Sequence, residues 1–311
     1  MAQFSVNILG CGSATPSLIH NTSSQIVDFR DTLMMIDCGE GTQQQVRRLG
    51  FNFSRIRRIF ISHLHGDHCL GLTGLLSTLS LHGRTGEVEV YMPQEGIDIF
   101  TRMLEFFLKE HSYAIKLIPV SGHGGLLVDD PSLTVTAFPL FHRVPCYGFI
   151  FREKPKLRHL RGDMVKFFNI PVSQLQSLKE GSDWRSPEGE LIANERLTTP
   201  AHPSCSYAYC SDTMFDQRVA DSVRGVDVIY HEATYDDSLR QKAFDRGHST
   251  ALQAARIAKE AGAKILIIGH YSKRYRTTDI LLEEARTTFP YVIAANEGLR
   301  LDIPQLLKSD D

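Results

Sequence analysis

The segment after one predicted strand holds the densest group of metal-binding side chains in the sequence. Residues 59–62 have the composition of a buried strand and run directly into His63-Leu64-His65-Gly66-Asp67-His68. Because His63 and His65 are two residues apart, their rings point the same way in an extended segment. Gly66 allows a bend that brings Asp67 and His68 to a second position. The spacing predicts two zinc sites, because Zn²⁺ takes neutral imidazole nitrogen and carboxylate oxygen. The alternative is a polar loop with scattered histidines.

Three further candidates each follow a predicted strand. His142 comes after the strand at 133–140, Asp212 after 207–210 and His270 after 264–268. Each has an alternative explanation, since one histidine after a strand is often incidental and an aspartate can cap the helix that begins at 216. Their recurrence at strand ends favours a shared metal site.

The His-x-His-x-Asp-His pattern after a strand resembles the metallo-β-lactamase superfamily. The flanking segments narrow the resemblance to the ribonuclease Z family, hydrolases that trim the 3′ end of precursor tRNA. These segments are Asp37-Cys38-Gly39-Glu40-Gly41-Thr42-Gln43, His231-Glu232-Ala233-Thr234 and His248-Ser249-Thr250. The match covers nearly the whole chain. It implies a single α/β (α+β) domain over residues 1–311, an αββα four-layer sandwich with a protruding arm inserted at 152–204.

The resemblance also implies a role for each candidate. His63, His65 and His142 would hold one zinc ion, Asp67, His68 and His270 would hold the other, and Asp212 would bridge them. Two ions about 3.5–4 Å apart generate a hydroxide that attacks the phosphodiester and stabilise the developing charge. Products would be tRNA with a 3′-hydroxyl and a trailer with a 5′-phosphate.

The remaining catalytic roles concern proton transfer and the orientation of ligands. In this assignment a hydroxide would also bridge the two ions, and Asp67, next to it, would accept its proton. The leaving 3′ oxygen needs a general acid, and the resemblance assigns this role to His248, with Glu232 holding its charge or relaying its proton. Asp37 would orient a ligand histidine through its second ring nitrogen.

Strand pairs that alternate with helices favour two mixed sheets packed face to face with helices outside. Capping boxes are predicted at Thr42 with Gln45, and at Thr250 with Gln253. Capping explains Ser249 and Thr250 without chemistry, but it does not explain His248.

Residues 152–204 are the least core-like part of the chain. Their basic start, with Lys154, Lys156, Arg158, Arg161 and Lys166, suits an arm that binds the tRNA backbone. A disordered linker is the alternative. The sequence departs from the family pattern at two places. Residues 170–174 lack the usual Gly-Pro of the arm, and His20 stands where Arg is usual in the loop at 16–21.

The composition is that of a globular protein and limits the classes to which this chain could belong. The chain has 311 residues, is 42% hydrophobic and 23% charged, and carries a net charge of −2. Residues 1–5 lack the basic start of a secretory leader, and no apolar run approaches the length of about 20 residues that spans a bilayer. Six cysteines without CxxC pairs favour the reducing cytoplasm. Five arginines at 47, 48, 55, 57 and 58 form either a solvated face or a track for phosphates.

The predicted partners are precursor tRNA and, through the resemblance, a second copy of the chain in a homodimer; no membrane partner is expected. Three other functions use the same pattern. A small-molecule phosphodiesterase or lactonase would share every ligand, although the inserted arm and the pair Glu232 and His248 speak against it. A di-iron redox protein commonly has Glu where this chain has His65. A metal-free RNA-binding subunit would not need the complete ligand set.

Overall fold

The computed structural model describes residues 4–308. Residues 1–3 and 309–311 lie outside the described residues, and with them part of the N-terminal segment considered for a leader and both ends of the predicted domain. The described chain divides into two compact units. One consists of the residues up to Asp129, Thr134–Phe151 and the residues from Cys205 onward, and the other of Asp130–Leu133 and Arg152–Ser204.

The larger unit contains two seven-stranded sheets. The strands of the chain are β1 Phe4–Gly10, β2 Ser24–Phe29, β3 Thr32–Ile36, β4 Ile56–Phe60, β5 Val88–Pro93, β6 Ile115–Val120, β7 Gly125–Asp129, β8 Leu133–Leu140, β9 Cys146–Glu153, β10 His159–Leu160, β11 Trp184–Arg185, β12 Leu191–Ile192, β13 Thr198–Thr199, β14 Ser206–Cys210, β15 Val228–Glu232, β16 Ile265–Gly269, β17 Val292–Ala294 and β18 Arg300–Asp302. The first sheet has the order β18-β1-β2-β3-β4-β5-β6, and the second has the order β17-β16-β15-β14-β9-β8-β7.

Both sheets are mixed, as the sequence predicts. In the first sheet β18, β1, β2 and β3 pair antiparallel, while β3, β4, β5 and β6 pair parallel. In the second sheet β14, β15, β16 and β17 pair parallel, and β7 pairs antiparallel with β8. The parallel strands β14 to β16 are buried at every residue. Parallel strands end at the same edge of a sheet, so the residues that follow them meet there.

The helices are α1 Thr42–Arg48, α2 Gly66–Cys69, α3 Leu72–Leu81, α4 Gly96–Phe107, α5 Gly162–Phe167, α6 Leu175–Lys179, α7 Asn194–Leu197, α8 Gln217–Ser222, α9 Arg240–Arg246, α10 Ala251–Ala261, α11 Asp279–Arg286 and α12 Ile303–Leu306. The two sheets face each other through aromatic side chains: the ring of Phe60 lies 5.4 Å from that of Phe149 and 5.5 Å from that of Phe151. Helices α1, α3 and α4 share a buried core with the first sheet, and α10 and α11 pack on the second. These four layers match the predicted sandwich.

Two predicted capping boxes have different outcomes. Thr250 accepts a hydrogen bond from the Gln253 amide, and the Gln253 side chain accepts one from the Thr250 amide, so the second box is confirmed. The first is wrong. Helix α1 is preceded by Gly41 in the left-handed region, with φ +83°, and it has no side-chain cap. Thr42 already lies inside the helix, and its buried hydroxyl has no hydrogen-bond partner among residues 4–308.

The smaller unit has a core of its own. Ile170, Leu178, Trp184, Ile192 and Leu197 pack together, and strands β10 with β13 and β11 with β12 form two short antiparallel pairs. Asn194 donates side-chain hydrogen bonds to the carbonyls of Leu178 and Ser182. This segment is therefore folded, which removes the alternative of a disordered linker.

Candidate metal centre

The candidate side chains all come from segments that follow strands of the larger unit. His63 and His65 follow β4, Asp67 and His68 lie in the short helix α2, and His142, Asp212 and His270 follow β8, β14 and β16. His270 has a φ of +60°, which is uncommon for a residue with a side chain. The structure brings all seven residues together, as the prediction requires.

The first set of donor atoms is here called the imidazole group and consists of His63, His65 and His142. His63 Nε2 lies 3.1 Å from His65 Nδ1, and His142 Nε2 lies 3.3 Å from the same His65 nitrogen. Three ring nitrogens therefore converge on one point, where a cation could accept a lone pair from each.

The second set is here called the mixed group and consists of Asp67, His68 and His270. The Nε2 atoms of His68 and His270 are 3.2 Å apart. Asp67 Oδ2 lies 3.6 Å from His68 Nε2 and 3.5 Å from His270 Nε2. Two nitrogens and one oxygen again converge, which is a donor set suited to Zn²⁺.

Asp212 joins the two groups. Its Oδ2 lies 3.6 Å from His63 Nε2 and 3.9 Å from His142 Nε2, in the imidazole group. Its Oδ1 lies 3.4 Å from His68 Nε2 and 3.2 Å from His270 Nε2, in the mixed group. Although Oδ1 is buried, it accepts no hydrogen bond from any described residue. A buried, unpartnered carboxylate oxygen is costly unless a cation balances it, so the donor set fits a pair of metal ions.

The second nitrogen of each of three rings is held by a fixed partner. Asp37 Oδ2 lies 2.7 Å from His68 Nδ1, the Gly247 carbonyl lies 2.6 Å from His142 Nδ1, and Thr234 Oγ1 lies 3.0 Å from His270 Nδ1. A proton on each Nδ1 leaves the Nε2 lone pair free to face the centre. Asp37 therefore has the orienting contact expected of it.

Asp37 is itself held by hydrogen bonds. It accepts from the Ser62 amide at 2.7 Å, from the Ser62 hydroxyl at 2.9 Å and from the Tyr209 hydroxyl at 2.8 Å. Its backbone has a φ of +55°. Four donors, counting His68, fix both carboxylate oxygens, so the orientation of His68 is set by both sheets.

Electrostatics make the centre attractive to positive charge. Burial lowers the pKa of His63, His65 and His142, so these rings are neutral and available as ligands at neutral pH. Burial also opposes charge on His68, yet Asp212, Asp37 and Asp67 raise its pKa. The pKa of Asp212 lies below its usual range because, against burial, it faces His270, His68 and His63.

Glu232 and His248 form a second polar cluster beside Asp212. His248 Nδ1 lies 3.0 Å from Glu232 Oε1 and 3.8 Å from Asp212 Oδ2. The buried Glu232 carboxylate also accepts hydrogen bonds from the backbone amides of Thr213, Thr234 and Ser249 and from the Thr234 hydroxyl. Although burial disfavours the charged ring, Glu232 and Asp212 raise the pKa of His248 to about 9. A protonated imidazole is therefore held next to the candidate metal centre.

A loop between β1 and β2 covers Asp67. The Ala14 amide donates to Asp67 Oδ2 at 2.6 Å, and Ala14 has a φ of +65°. His20, at the position where the family usually has Arg, points inward, and its Nδ1 lies 3.0 Å from Glu297 Oε2. Glu297 also accepts a hydrogen bond from the Asn21 amide. Glu297 therefore holds the end of the loop that precedes β2.

Sequence reasoning missed several of these partners. Glu297, Ser62, Tyr209 and the Gly247 carbonyl were not singled out, because each acts across a separation in sequence that no local pattern reports. Only Gly247 also has a local signal, because it stands directly before the candidate residue His248. A Cβ on Gly247 would lie 2.8 Å from His142 Nδ1, so only glycine allows this approach.

No helix among residues 4–308 is both long and apolar enough to cross a membrane. Of the five arginines between residues 47 and 58, Arg55 pairs with Asp28 at 2.9 Å and Arg58, which lies in β4, pairs with Glu89 at 2.8 Å. Two of the five arginines are therefore engaged by acidic side chains.

Comparisons with known proteins provide an independent line of evidence. The family described as "Anti-Pycsar protein Apyc1" matches residues 4–115. A protein named ribonuclease Z from Bacteroides fragilis (strain YCH46) is 49% identical over 306 residues, which cover 97% of this chain and 100% of that protein.

Solved structures agree. The crystal structure of human tRNase Z, short form, has a TM-score of 0.70 and 28% identity, and the match covers 96% of this chain and 99% of that one. The metallo-β-lactamase fold protein YhfI from Bacillus subtilis has a TM-score of 0.69 and 21% identity, covering 96% and 99%. The latter bears on the fold alone, and it confirms the predicted architecture. Full-length similarity at 49% identity confirms the resemblance to ribonuclease Z, and this chain therefore belongs to the ribonuclease Z family.

Proposed function

We propose that this chain is a zinc-dependent endoribonuclease that removes the 3′ trailer from precursor tRNA. It leaves a 3′-hydroxyl on the tRNA and a 5′-phosphate on the trailer. The observation that carries the proposal is Asp212, whose two oxygens face two separate donor groups while His248 stands 3.8 Å away. Membership of the ribonuclease Z family supports the choice of substrate.

The metal ligands in this proposal are the seven converging residues. His63, His65 and His142 would hold one Zn²⁺, Asp67, His68 and His270 would hold the second, and the two Asp212 oxygens, which face the two groups, would be available to both. When bound, two such ions supply a nucleophile from water at neutral pH and stabilise negative charge on the phosphodiester oxygens. The unpartnered Asp212 Oδ1 and the facing imidazole nitrogens support a count of two ions in each subunit.

The chain's own residues move the protons. Asp67 would accept the proton of the attacking water. Its carboxylate is ionised at neutral pH because, despite burial, His68 and His270 lower its pKa. His248 donates a proton to the departing 3′ oxygen of the ribose, which has a high pKa and leaves slowly as an alkoxide. Glu232 holds the imidazolium and fixes its orientation through Nδ1.

The smaller unit is proposed as the arm that binds tRNA. Some of its cations are engaged internally: Lys156 pairs with Glu153 at 2.7 Å, and Arg161 lies 3.4 Å from Asp163. Lys166 and its neighbour Phe167 are exposed, and they could contact phosphate and base. We include two further elements in the proposal. The protein is a homodimer, as the family resemblance implies, and it works in the cytoplasm, where its six buried free cysteines would stay reduced.

The test is incubation of purified protein with a 5′-labelled precursor tRNA, with and without a chelator. Cleavage at the base of the trailer, lost with chelator and restored by Zn²⁺, is expected. His65→Ala should abolish cleavage. Hydrolysis of a small phosphodiester such as bis(p-nitrophenyl) phosphate, with no cut in the precursor, would contradict the RNA substrate and favour a small-molecule phosphodiesterase. Full activity of the metal-free protein would contradict the zinc mechanism.

A second variant separates the arm from the chemistry. Replacement of residues 156–202 by a short Gly-Ser linker should raise KM for precursor tRNA and leave hydrolysis of bis(p-nitrophenyl) phosphate unchanged. The small substrate also reports whether the larger unit still folds. Cleavage of precursor tRNA at wild-type efficiency by this variant would remove the role of the arm.

A further inference from the structure

Arg143 follows the candidate metal ligand His142 directly. Its side chain is exposed, while its stem lies against the segment that carries His248. A Cβ placed on Gly247 would lie 3.5 Å from Arg143 Cγ, and 2.8 Å from His142 Nδ1. Arg143 therefore stands where the turn after β8 meets the turn after α9, at the edge of the centre.

The guanidinium of Arg143 has no acidic partner among residues 4–308, and it makes no side-chain hydrogen bond there. The nearby carboxylates are engaged elsewhere: Asp212 faces histidines and Glu232 accepts five hydrogen bonds. An exposed arginine at the edge of a phosphodiesterase centre, without an internal counter-charge, is free to bind an anion. Its planar fork matches two oxygens of a phosphate.

The position of the charge indicates which phosphate it meets. The Arg143 stem lies beside Gly247, on the side of His142 Nδ1, the ring nitrogen that contacts the Gly247 carbonyl and faces away from the centre. The side chain of Arg143 therefore starts on the flank of the imidazole group rather than over Asp212. The cleaved phosphodiester must lie over Asp212, between the two groups, so a flanking cation meets a different phosphate of the same strand.

We infer that Arg143 is a substrate-binding residue that contacts a backbone phosphate next to the cleaved one. The inference rests on the proposed nuclease function and adds a subsite for RNA at the flank of the metal centre. It follows that the contact is made by RNA and cannot be made by a diester with one phosphate.

The test compares Arg143→Met and Arg143→Lys with the wild type on precursor tRNA and on bis(p-nitrophenyl) phosphate. Arg143→Met should raise KM for the precursor about 10-fold with little change in kcat, and it should reduce the slope of log(kcat/KM) against log salt by about 1. The loss on the single-phosphate substrate should be much smaller. Arg143→Lys should recover part of the binding. Arg224→Met is the matched control, because Arg224 is an exposed arginine that pairs with Asp221 and touches no site residue.

A binding assay keeps this test independent of tRNA cleavage. A six-nucleotide oligouridylate should inhibit hydrolysis of bis(p-nitrophenyl) phosphate, and its Ki should rise in Arg143→Met by the same factor as KM. If the wild type does not cut precursor tRNA but the Ki shift is present, the tRNA proposal fails and the phosphate contact stands. An unchanged Ki, or an equal loss on both substrates, would overturn the inference.

Discussion

The imidazole group and the mixed group differ in the electrostatic surroundings that they offer to a cation. The imidazole group offers three neutral rings, and its shared carboxylate is Asp212. The mixed group has Asp67 as a ligand, and Asp37 lies behind His68 at 2.7 Å. The three carboxylates raise the pKa of His68, whereas burial lowers the pKa of all three rings of the imidazole group. We expect the mixed group to bind its zinc ion more tightly, and the ion in the imidazole group to leave first.

The largest effect is expected from breaking the link between the groups. Asp212→Asn removes the charge that both ions would share, so both should bind weakly and cleavage should fall more than about 10⁴-fold, beyond the loss typical of an orienting partner or a general acid. Zinc content and cleavage of precursor tRNA measure this. The control is Asp216→Asn, because Asp216 caps α8 from outside the centre and Asn caps equally well. Retention of two zinc ions and full activity by Asp212→Asn would refute the bridging role.

The next largest effect separates proton donation from metal binding. His248→Ala should lower kcat by about 10²–10⁴-fold, the range for a general acid, while zinc content stays at the wild-type value. The measurement is single-turnover cleavage alongside metal analysis. His202→Ala, an exposed histidine of the smaller unit, is the control for loss of an imidazole. Equal zinc loss in His248→Ala and His65→Ala would show that the two roles are not separate.

Two further variants should each affect only one of the two groups of ligands, the mixed group or the imidazole group. Asp37→Asn weakens the hold on His68, and Gly247→Ala pushes a methyl group against His142, so each should lower zinc affinity about 10–100-fold in its own group. When zinc content is measured at increasing chelator concentration, each ion should be lost in a separate step. Asp37→Asn and Gly247→Ala should each shift a different one of these two steps. Gly225→Ala is matched to Gly247→Ala, since it has a similar φ of +70° and open space around the added methyl group. If Gly225→Ala and Gly247→Ala lose zinc alike, the contact with His142 is not the cause.

The smallest expected effect is a shift in pH dependence. His248 donates only when protonated, so activity is present below its pKa and is lost as pH rises through it. Against burial, Glu232 and Asp212 raise that pKa to about 9, and Glu232→Gln removes the larger of these two contributions, so the alkaline limb of the kcat profile should move to lower pH. The wild type is the reference, and Tm reports any loss of stability from the five hydrogen bonds. An unmoved limb would exclude His248 as the acid seen in the profile.

The sequence was sufficient for features whose signal is local or repeated. The alternation of strand pairs with helices predicted the sandwich. The recurrence of candidate ligands after strands favoured a shared metal site, and the family resemblance supplied the full set of seven residues. Local patterns failed where backbone geometry decides. Thr42 and Thr250 carry the same capping pattern, but left-handed Gly41 places Thr42 inside its helix. Helix α9 was also missed.

Long-range partners were beyond the reach of the sequence for a physical reason. The Gly247 carbonyl meets a histidine 105 residues earlier, and Tyr209 reaches Asp37 across 172 residues. Such contacts depend on how loops and sheets pack against one another in three dimensions, which no spacing along the chain records. The inward turn of His20 toward Glu297, 277 residues away, is a third case.

The most direct measurement is anomalous diffraction at the zinc edge from crystals of the zinc-loaded protein. Two peaks of similar height are expected, one among His63, His65 and His142 and the other among Asp67, His68 and His270, with an oxygen of Asp212 beside each. A single peak, or density away from Asp212, would contradict a centre built from two cations.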